Sequence, residues 1–198
     1  MLPAEPVQIT NRIAQIFERL RIRYFVGGSL ASSLHGIPRA TQDVDIVAEI
    51  LSGQIPLIVE SLESEFYVDS EMIKEAIQRS SSFNVIHLTT MFKVDIFILK
   101  SDNASREEMA RRERYQVSDD PQQMLFLATA EDVILHKLYW YQLGGGVSER
   151  QWSDVLGVLQ VQHETLDRAY LKKAAQQRGV IKLLKEAFNE ADIKAIND

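Results

Sequence analysis

The 198-residue sequence predicts an α/β (α+β) fold: a small mixed sheet flanked by helices, with a helical extension at the C-terminal end. Two patterns carry that prediction. Segments in which polar and branched apolar residues alternate, the period of a half-buried strand, fall before about residue 128. Beyond it the apolar residues recur at three and four positions, the period of a helix. The predicted division is an α/β core over residues 1–128 and a helical region over 129–198 packed on it.

Taken in order, Ile13, Ile16, Phe17 and Leu20 form an apolar stripe that predicts a helix over 10–20, capped by Thr10 or Asn11. Tyr24-Phe25-Val26, Gly27-Gly28-Ser29 and the run from Leu30 to Leu34 predict strand, tight turn and short helix, stopped by Gly36-Ile37-Pro38. In Asp43-Val44-Asp45-Ile46-Val47 carboxylates alternate with apolar residues, so Asp43 and Asp45 point the same way along a strand. Helices follow over 51–62, with Pro56 in the first turn, and over 70–79. Strands over 83–88 and 92–99 are spaced as a hairpin around Thr89-Thr90-Met91. In the second of them Val94, Ile96 and Ile98 face one side and Lys93, Asp95 and Phe97 the other. A charged helix over 104–114, an edge strand over 124–128 and helices over 129–143, 148–161, 167–177 and 181–188 complete the chain. Trp140 and Tyr141 share helical spacing with Val133 and Leu138 and are expected in the core.

With 45% hydrophobic and 25% charged residues, the composition is that of a globular protein rather than a disordered or fibrous one. No apolar run approaches the roughly 20 residues that cross a bilayer, and MLPAEPVQIT lacks the basic and apolar parts of a secretory signal, so a cytoplasmic protein is expected. The absence of cysteine excludes disulfides, thiolate metal sites and cysteine nucleophiles, leaving oxygen and imidazole as metal ligands. A net charge of −6 offers nucleic acid no global attraction, and any such contact has to rest on a local basic patch.

Asp43, Asp45 and Asp95 all lie in strands built mainly of Val, Ile and Phe, where acids are depleted. If those strands pair with the acidic faces aligned, three like charges converge, and a divalent cation removes the conflict. Mg2+ prefers oxygen ligands, commonly one or two carboxylates with substrate phosphates. Gly27, Gly28 and Ser29 supply a complementary half: glycines let a backbone approach a polyphosphate, and the following helix presents unpaired N–H groups and a positive dipole end.

Each feature also has a plainer reading. A lone Asp-x-Asp is often a solvated strand edge, and Gly27-Gly28 alone is satisfied by a turn needing positive φ. Arg39 and Thr41 either position a phosphate or hold their loop, and Lys137 and Asp154 have an equally structural explanation on helices. The four arginines between 106 and 114 are interleaved with Glu107, Glu108 and Glu113, which suits a solvated helix face better than a nucleic-acid contact.

Taken together, Gly28-Ser29, Asp43-Val44-Asp45 and the later Asp95 resemble the DNA polymerase β-like nucleotidyltransferase superfamily. More narrowly, the run from Val26 to Ala31 with His35-Gly36, Arg39, Thr41, Asp43 and Asp45 is similar to the minimal nucleotidyltransferases that include AbiEii-type toxins. The spacing of Lys137 and Asp154 is similar to a lysine and an aspartate on later helices of that group. The resemblance spans residues 24–155, and the C-terminal part is shorter and less basic than in the larger toxins. It implies transfer of a nucleoside monophosphate from an NTP, ATP among them, to an acceptor hydroxyl. Asp43, Asp45 and Asp95 would be the catalytic metal ligands for two Mg2+ ions, with Mn2+ as a substitute. Gly27, Gly28, Ser29, Arg39, Thr41, Lys137 and Asp154 would bind the nucleotide and its phosphates. The implied acceptors are a tRNA-like RNA end or a protein, with a cognate antitoxin as partner. A small hydroxylated molecule such as an aminoglycoside, or NTP binding without turnover, are the alternatives.

Overall fold

The computed structural model describes residues 4–117 and 123–193. The chain divides into two compact units, Met1–Gly27 with Ala40–Ala128, and Gly28–Arg39 with Thr129–Asp198. The break after Ala128 falls where the sequence pattern changes. Residues 28–39 belong with the later helices.

The first unit is built on a mixed sheet. Its strands are β1 (Tyr24–Val26), β2 (Asp43–Ala48), β3 (Phe66–Tyr67), β4 (Ser82–His87), β5 (Lys93–Ile98), β6 (Glu113–Gln116) and β7 (Met124–Leu127), in the order β3-β4-β5-β2-β1-β7-β6. The pairs β2–β5 and β1–β7 are parallel and the rest antiparallel. Helices α1 (Ala4–Arg19), α3 (Ile55–Leu62), α4 (Ser70–Arg79) and α5 (Asn103–Arg111) accompany it. Ile13, Ile16 and Phe17 of α1, Ile58 and Leu62 of α3, and Ile73 of α4 are buried, as are Val44, Ile46, Val85, Val94 and Ile96 on one face of the sheet. Helices α1, α3 and α4 therefore cover the apolar face, and burial of branched side chains at roughly 25 cal/mol per Å² is the main force holding it.

Several local features differ from expectation. Helix α1 begins before Thr10, so Thr10 is not a cap; its hydroxyl turns back to the Pro6 carbonyl at 2.6 Å, the usual resort of a mid-helix threonine. Pro56 does sit in the first turn of α3. The charged helix α5 stops at Arg111, and the residues after it form β6. Because β6 pairs outside β7, β7 is an interior strand rather than an edge. Glu113-Arg114-Tyr115-Gln116 has no apolar alternation, so only its partner strand makes it β.

The second unit holds α2 (Gly28–His35), α6 (Ala130–Leu143), α7 (Glu149–Gln162), α8 (Arg168–Gln177) and α9 (Ile181–Glu190). Thr129 caps α6 by accepting from the Asp132 N–H. Val133, Ile134, Leu135 and Leu138 are buried, but Trp140 is 53% exposed and is not a core residue. Helices α2 and α7 cross closely at glycine: a Cβ on Gly36 would stand 2.7 Å from the backbone of Gly157 and Val158. Across that crossing Gln162 Nε2 donates to the His35 carbonyl at 2.8 Å.

Candidate active site

In the first unit β2 and β5 run parallel in a register that sets Asp43 beside Lys93 and Asp45 beside Asp95. Val44, Ile46, Val94 and Ile96 point into the core with no exposure, so the period of two places all four charged residues on the opposite, half-buried face. The row through Asp45 and Asp95 continues on both sides. Asn84 of β4 lies opposite Asp95, and the Gly27 N–H donates to the Asp45 carbonyl at 2.9 Å. The Thr41 hydroxyl is directed at Asp43, 2.8 Å from its carbonyl and 3.3 Å from Oδ1, so Thr41 steadies the entry to β2.

Lys93 belongs to this row, and the sequence reading assigned it no role. Its Nζ donates to Asp95 Oδ2 at 2.7 Å, with side chains 43% and 21% exposed. That hydrogen bond, with the negative charges of Asp95, Asp43 and Asp45, outweighs desolvation and raises the Lys93 ammonium above the usual lysine range. The signal was present in the sequence: Lys93 precedes Asp95 by two residues, as Asp43 precedes Asp45.

Among the described residues no group of three or more acidic or histidine side chains is gathered so as to hold a metal ion by itself. Mg2+ does not require such a cage, because it usually takes one or two carboxylates and completes its shell with waters and substrate phosphates. Asp43 and Asp45, half-exposed on one face at the start of β2, are hard oxygen donors of that kind. The donor set fits a divalent ion brought in with a polyphosphate.

In the second unit α2 opens at Gly28 with φ +56°, a conformation that an L side chain rarely adopts. Its first turn carries no acid. Arg39 donates through Nη2 to Ser29 Oγ at 2.7 Å, and through Nε and Nη2 to the two carboxylate oxygens of Asp154 at 2.7 and 2.8 Å. Lys137 Nζ reaches the same carboxylate at 2.7 Å. Arg39, Lys137 and Asp154 thus form one connected network. The Asp154 and Lys137 side chains are only 6% and 7% exposed. Burial alone would push the Asp154 carboxyl up; the hydrogen bonds from Arg39 and Lys137 and their charges overcome it and hold the group below its usual range. An α-helix N-terminus with a serine hydroxyl and a fixed guanidinium beside it is chemically suited to an anion such as a phosphate.

The structure therefore gathers Asp43, Asp45, Asp95, Thr41 and Gly27 in one unit and Ser29, Arg39, Lys137 and Asp154 in the other. No helix among the described residues is long and apolar enough to cross a membrane.

No protein-family model matches the chain, and no curated protein matches it either. Solved structures do. An antigenic nucleotidyltransferase-like protein from Paracoccidioides brasiliensis superposes with a TM-score of 0.58 at 16% identity, over 96% of this chain and 93% of that one. The antibiotic-resistance factor ANT(2'')-Ia superposes with a TM-score of 0.54 at 14% identity, over 94% and 98%. Its complex with adenylyl-2''-tobramycin gives a TM-score of 0.54 at 11% identity, over 90% and 97%. The chain has the nucleotidyltransferase fold.

Proposed function

We propose that the protein is a Mg2+-dependent nucleotidyltransferase that moves a nucleoside monophosphate from an NTP to a hydroxyl of an RNA end or a protein, as the toxin of a toxin–antitoxin pair. The observation that carries this reading is the register of Asp45 beside Asp95, with Asp43 on the same half-exposed face, opposite the buried Val44, Ile46, Val94 and Ile96. A fold needs no such acids there, because like charges at adjacent strand positions destabilise a sheet.

When bound, Mg2+ supplies charge neutralisation for the triphosphate and lowers the pKa of a coordinated hydroxyl. Asp43 and Asp45 would hold it. Asp95 would take the proton as the acceptor oxygen bonds to the α-phosphorus and the bond to the bridging oxygen breaks, releasing pyrophosphate. Gly28, Ser29 and the N–H groups of α2 would bind phosphate oxygens, with Arg39 fixing the serine hydroxyl. A carboxylate repels phosphate, so Asp154 would act by holding Arg39 and Lys137 rather than by contact.

A second acceptor class, a small hydroxylated molecule, is favoured by the similarity to ANT(2'')-Ia, which covers nearly the whole of both chains. The test is incubation with each α-labelled NTP, Mg2+ and, separately, total RNA, protein extract and a panel of aminoglycosides, with Asp45→Asn alongside. Label on RNA or protein in the wild type alone is the expected result. Label on an aminoglycoside selects the second class. Nucleotide binding with no transfer to any acceptor overturns both in favour of a binding module.

A further inference from the structure

We infer that the acceptor reaches Asp95 over β4 and β3, and that it is the terminal nucleoside of a single-stranded RNA, its base stacked on Tyr67 and its polar edge read by Asn84. The inference rests on the nucleotidyl-transfer reading and deepens it by naming the acceptor and two residues that select it.

The strand order fixes the direction of approach. Along the row that contains the acids, Gly27 at the end of β1 donates to the Asp45 carbonyl, Asp45 stands beside Asp95, and Asp95 stands beside the half-buried Asn84 of β4. The neighbouring row runs Asp43, Lys93, Ile86 and Tyr67, the last of these on the edge strand β3. Register partners share a face, so Asn84, Ile86 and Tyr67 stand on the same side of the sheet as Asp95. Exposure along this face is uneven. Phe25 of β1, the register partner of Val47, is 2% exposed, whereas Tyr67 is 51% exposed. The face is closed at β1 and open at β3.

In phosphoryl-type transfer the attacking and leaving oxygens stand roughly in line, on opposite sides of the phosphorus. The glycine–serine turn after β1 is the phosphate side of the proposed site, so pyrophosphate departs toward β1 and the acceptor oxygen comes from the side of β5 and β4. That oxygen bonds to the α-phosphorus, its proton passes to Asp95, and the electron pair of the broken bond leaves on pyrophosphate. An acceptor held there lies across Asn84 and Ile86. Its far end meets Tyr67 on β3, two strand spacings or about 10 Å from β5, a distance that a ribose with its base bridges.

The chemistry of these side chains selects among acceptors. All three are uncharged, so this part of the face offers a polycation such as an aminoglycoside no carboxylate. An extended peptide would bind by adding to the sheet edge, and β3 presents only Phe66 and Tyr67 for that. An exposed phenol ring takes any base by stacking, and a carboxamide supplies both a donor and an acceptor to a base edge. Docking of one nucleoside needs no basic stripe along a phosphate backbone, in keeping with the net charge of −6.

The test measures RNA-end binding and transfer separately. A short fluorescein-labelled single-stranded RNA with a free 3'-hydroxyl is titrated, by fluorescence anisotropy, with the protein saturated by Mg2+ and α,β-methylene-ATP, which cannot transfer its nucleotide. Tyr67→Ala and Asn84→Ala should each weaken binding about tenfold with nucleotide affinity unchanged, and Tyr67→Phe should bind like the wild type, because the ring rather than its hydroxyl carries the stack. The same RNA ending in an abasic ribose should bind the wild type as weakly as intact RNA binds Tyr67→Ala. In turnover with labelled ATP, the acceptor KM should rise in both alanine variants while the ATP KM holds. Circular dichroism verifies folding, and Asn84→Ser replaces Asn84→Ala if the latter unfolds. RNA that does not bind the wild type, or that binds both alanine variants equally well, overturns the inference. Label transferred to protein or to an aminoglycoside at a rate that neither alanine variant changes overturns it too, with nucleotidyl transfer intact. RNA binding that depends on Tyr67 and Asn84, with no label transferred by the wild type, overturns the transfer reading alone, and the RNA-end site stands.

Discussion

The acids of the first unit and the ion network of the second show two opposite ways of keeping charge in a folded chain. Asp154 is 6% exposed and bonded to both Arg39 and Lys137, so every oxygen of its carboxylate has a cationic donor. Asp95 is 21% exposed with Lys93 on one oxygen, and Asp43 and Asp45 lie on the same half-exposed face. Buried charge must be compensated inside the protein, because an uncompensated ion there costs several kcal/mol. Half-exposed charge tolerates a deficit, and a deficit at an open surface is what a cation or a proton from substrate can fill. The difference separates a buried network with every carboxylate oxygen bonded from a half-exposed row of acids.

Substitutions at four positions probe that contrast. Removing the compensated acid has the largest effect on folding: Asp154→Ala strands the buried Lys137 ammonium and the partly buried Arg39 guanidinium and should lower unfolding free energy by about 3–5 kcal/mol, measured by urea denaturation. The same carboxyl has a folded pKa below its unfolded value, so its contribution is fully present above the ordinary aspartate range near about 4 and is lost as pH falls through the lowered value. Asp154→Asn should accordingly flatten the acid limb of stability against pH; an identical acid limb in that variant would mean that the network contributes nothing.

Asp45→Asn should do the reverse. Transfer should fall by roughly a hundredfold or more, about 3 kcal/mol, while the melting temperature holds or rises because the row loses a like charge. A melting temperature that drops as far as that of Asp154→Ala would erase the distinction between the two regions. At the crossing of α2 with α7, Gly36→Ala forces a methyl group against backbone at 2.7 Å and should cost about 1–3 kcal/mol of stability. Stability within error of the wild type would show that the second unit has slack. Smallest is Ser29→Ala, expected to weaken NTP affinity by about 0.5–1.5 kcal/mol in calorimetry without changing stability. Unchanged affinity would remove the serine from the phosphate site.

Much of the carboxylate row was legible because strands impose a period of two. Asp43 with Asp45, and Lys93 with Asp95, share a face whatever the strands pair with, and the apolar residues between them name the buried side. The pairing of β2 with β5 was not legible, since strands 50 residues apart in sequence find register through tertiary contacts. For the same reason β3 and β6 escaped notice, one of them two residues long and the other without apolar alternation. Trp140 shows the limit of helical spacing as a guide, because it keeps that spacing with the buried Val133 and is still 53% exposed.

The sequence by itself determined the α/β class and the faces of β2 and β5, because local period and residue type are written in neighbouring positions. Tertiary structure alone decided that Lys93 holds Asp95, that Asp154 is the shared partner of Arg39 and Lys137, and that residues 28–39 fold with helices that begin only at Ala130. Those are contacts across chain separations, where the closure of long loops rather than any local preference selects the partner.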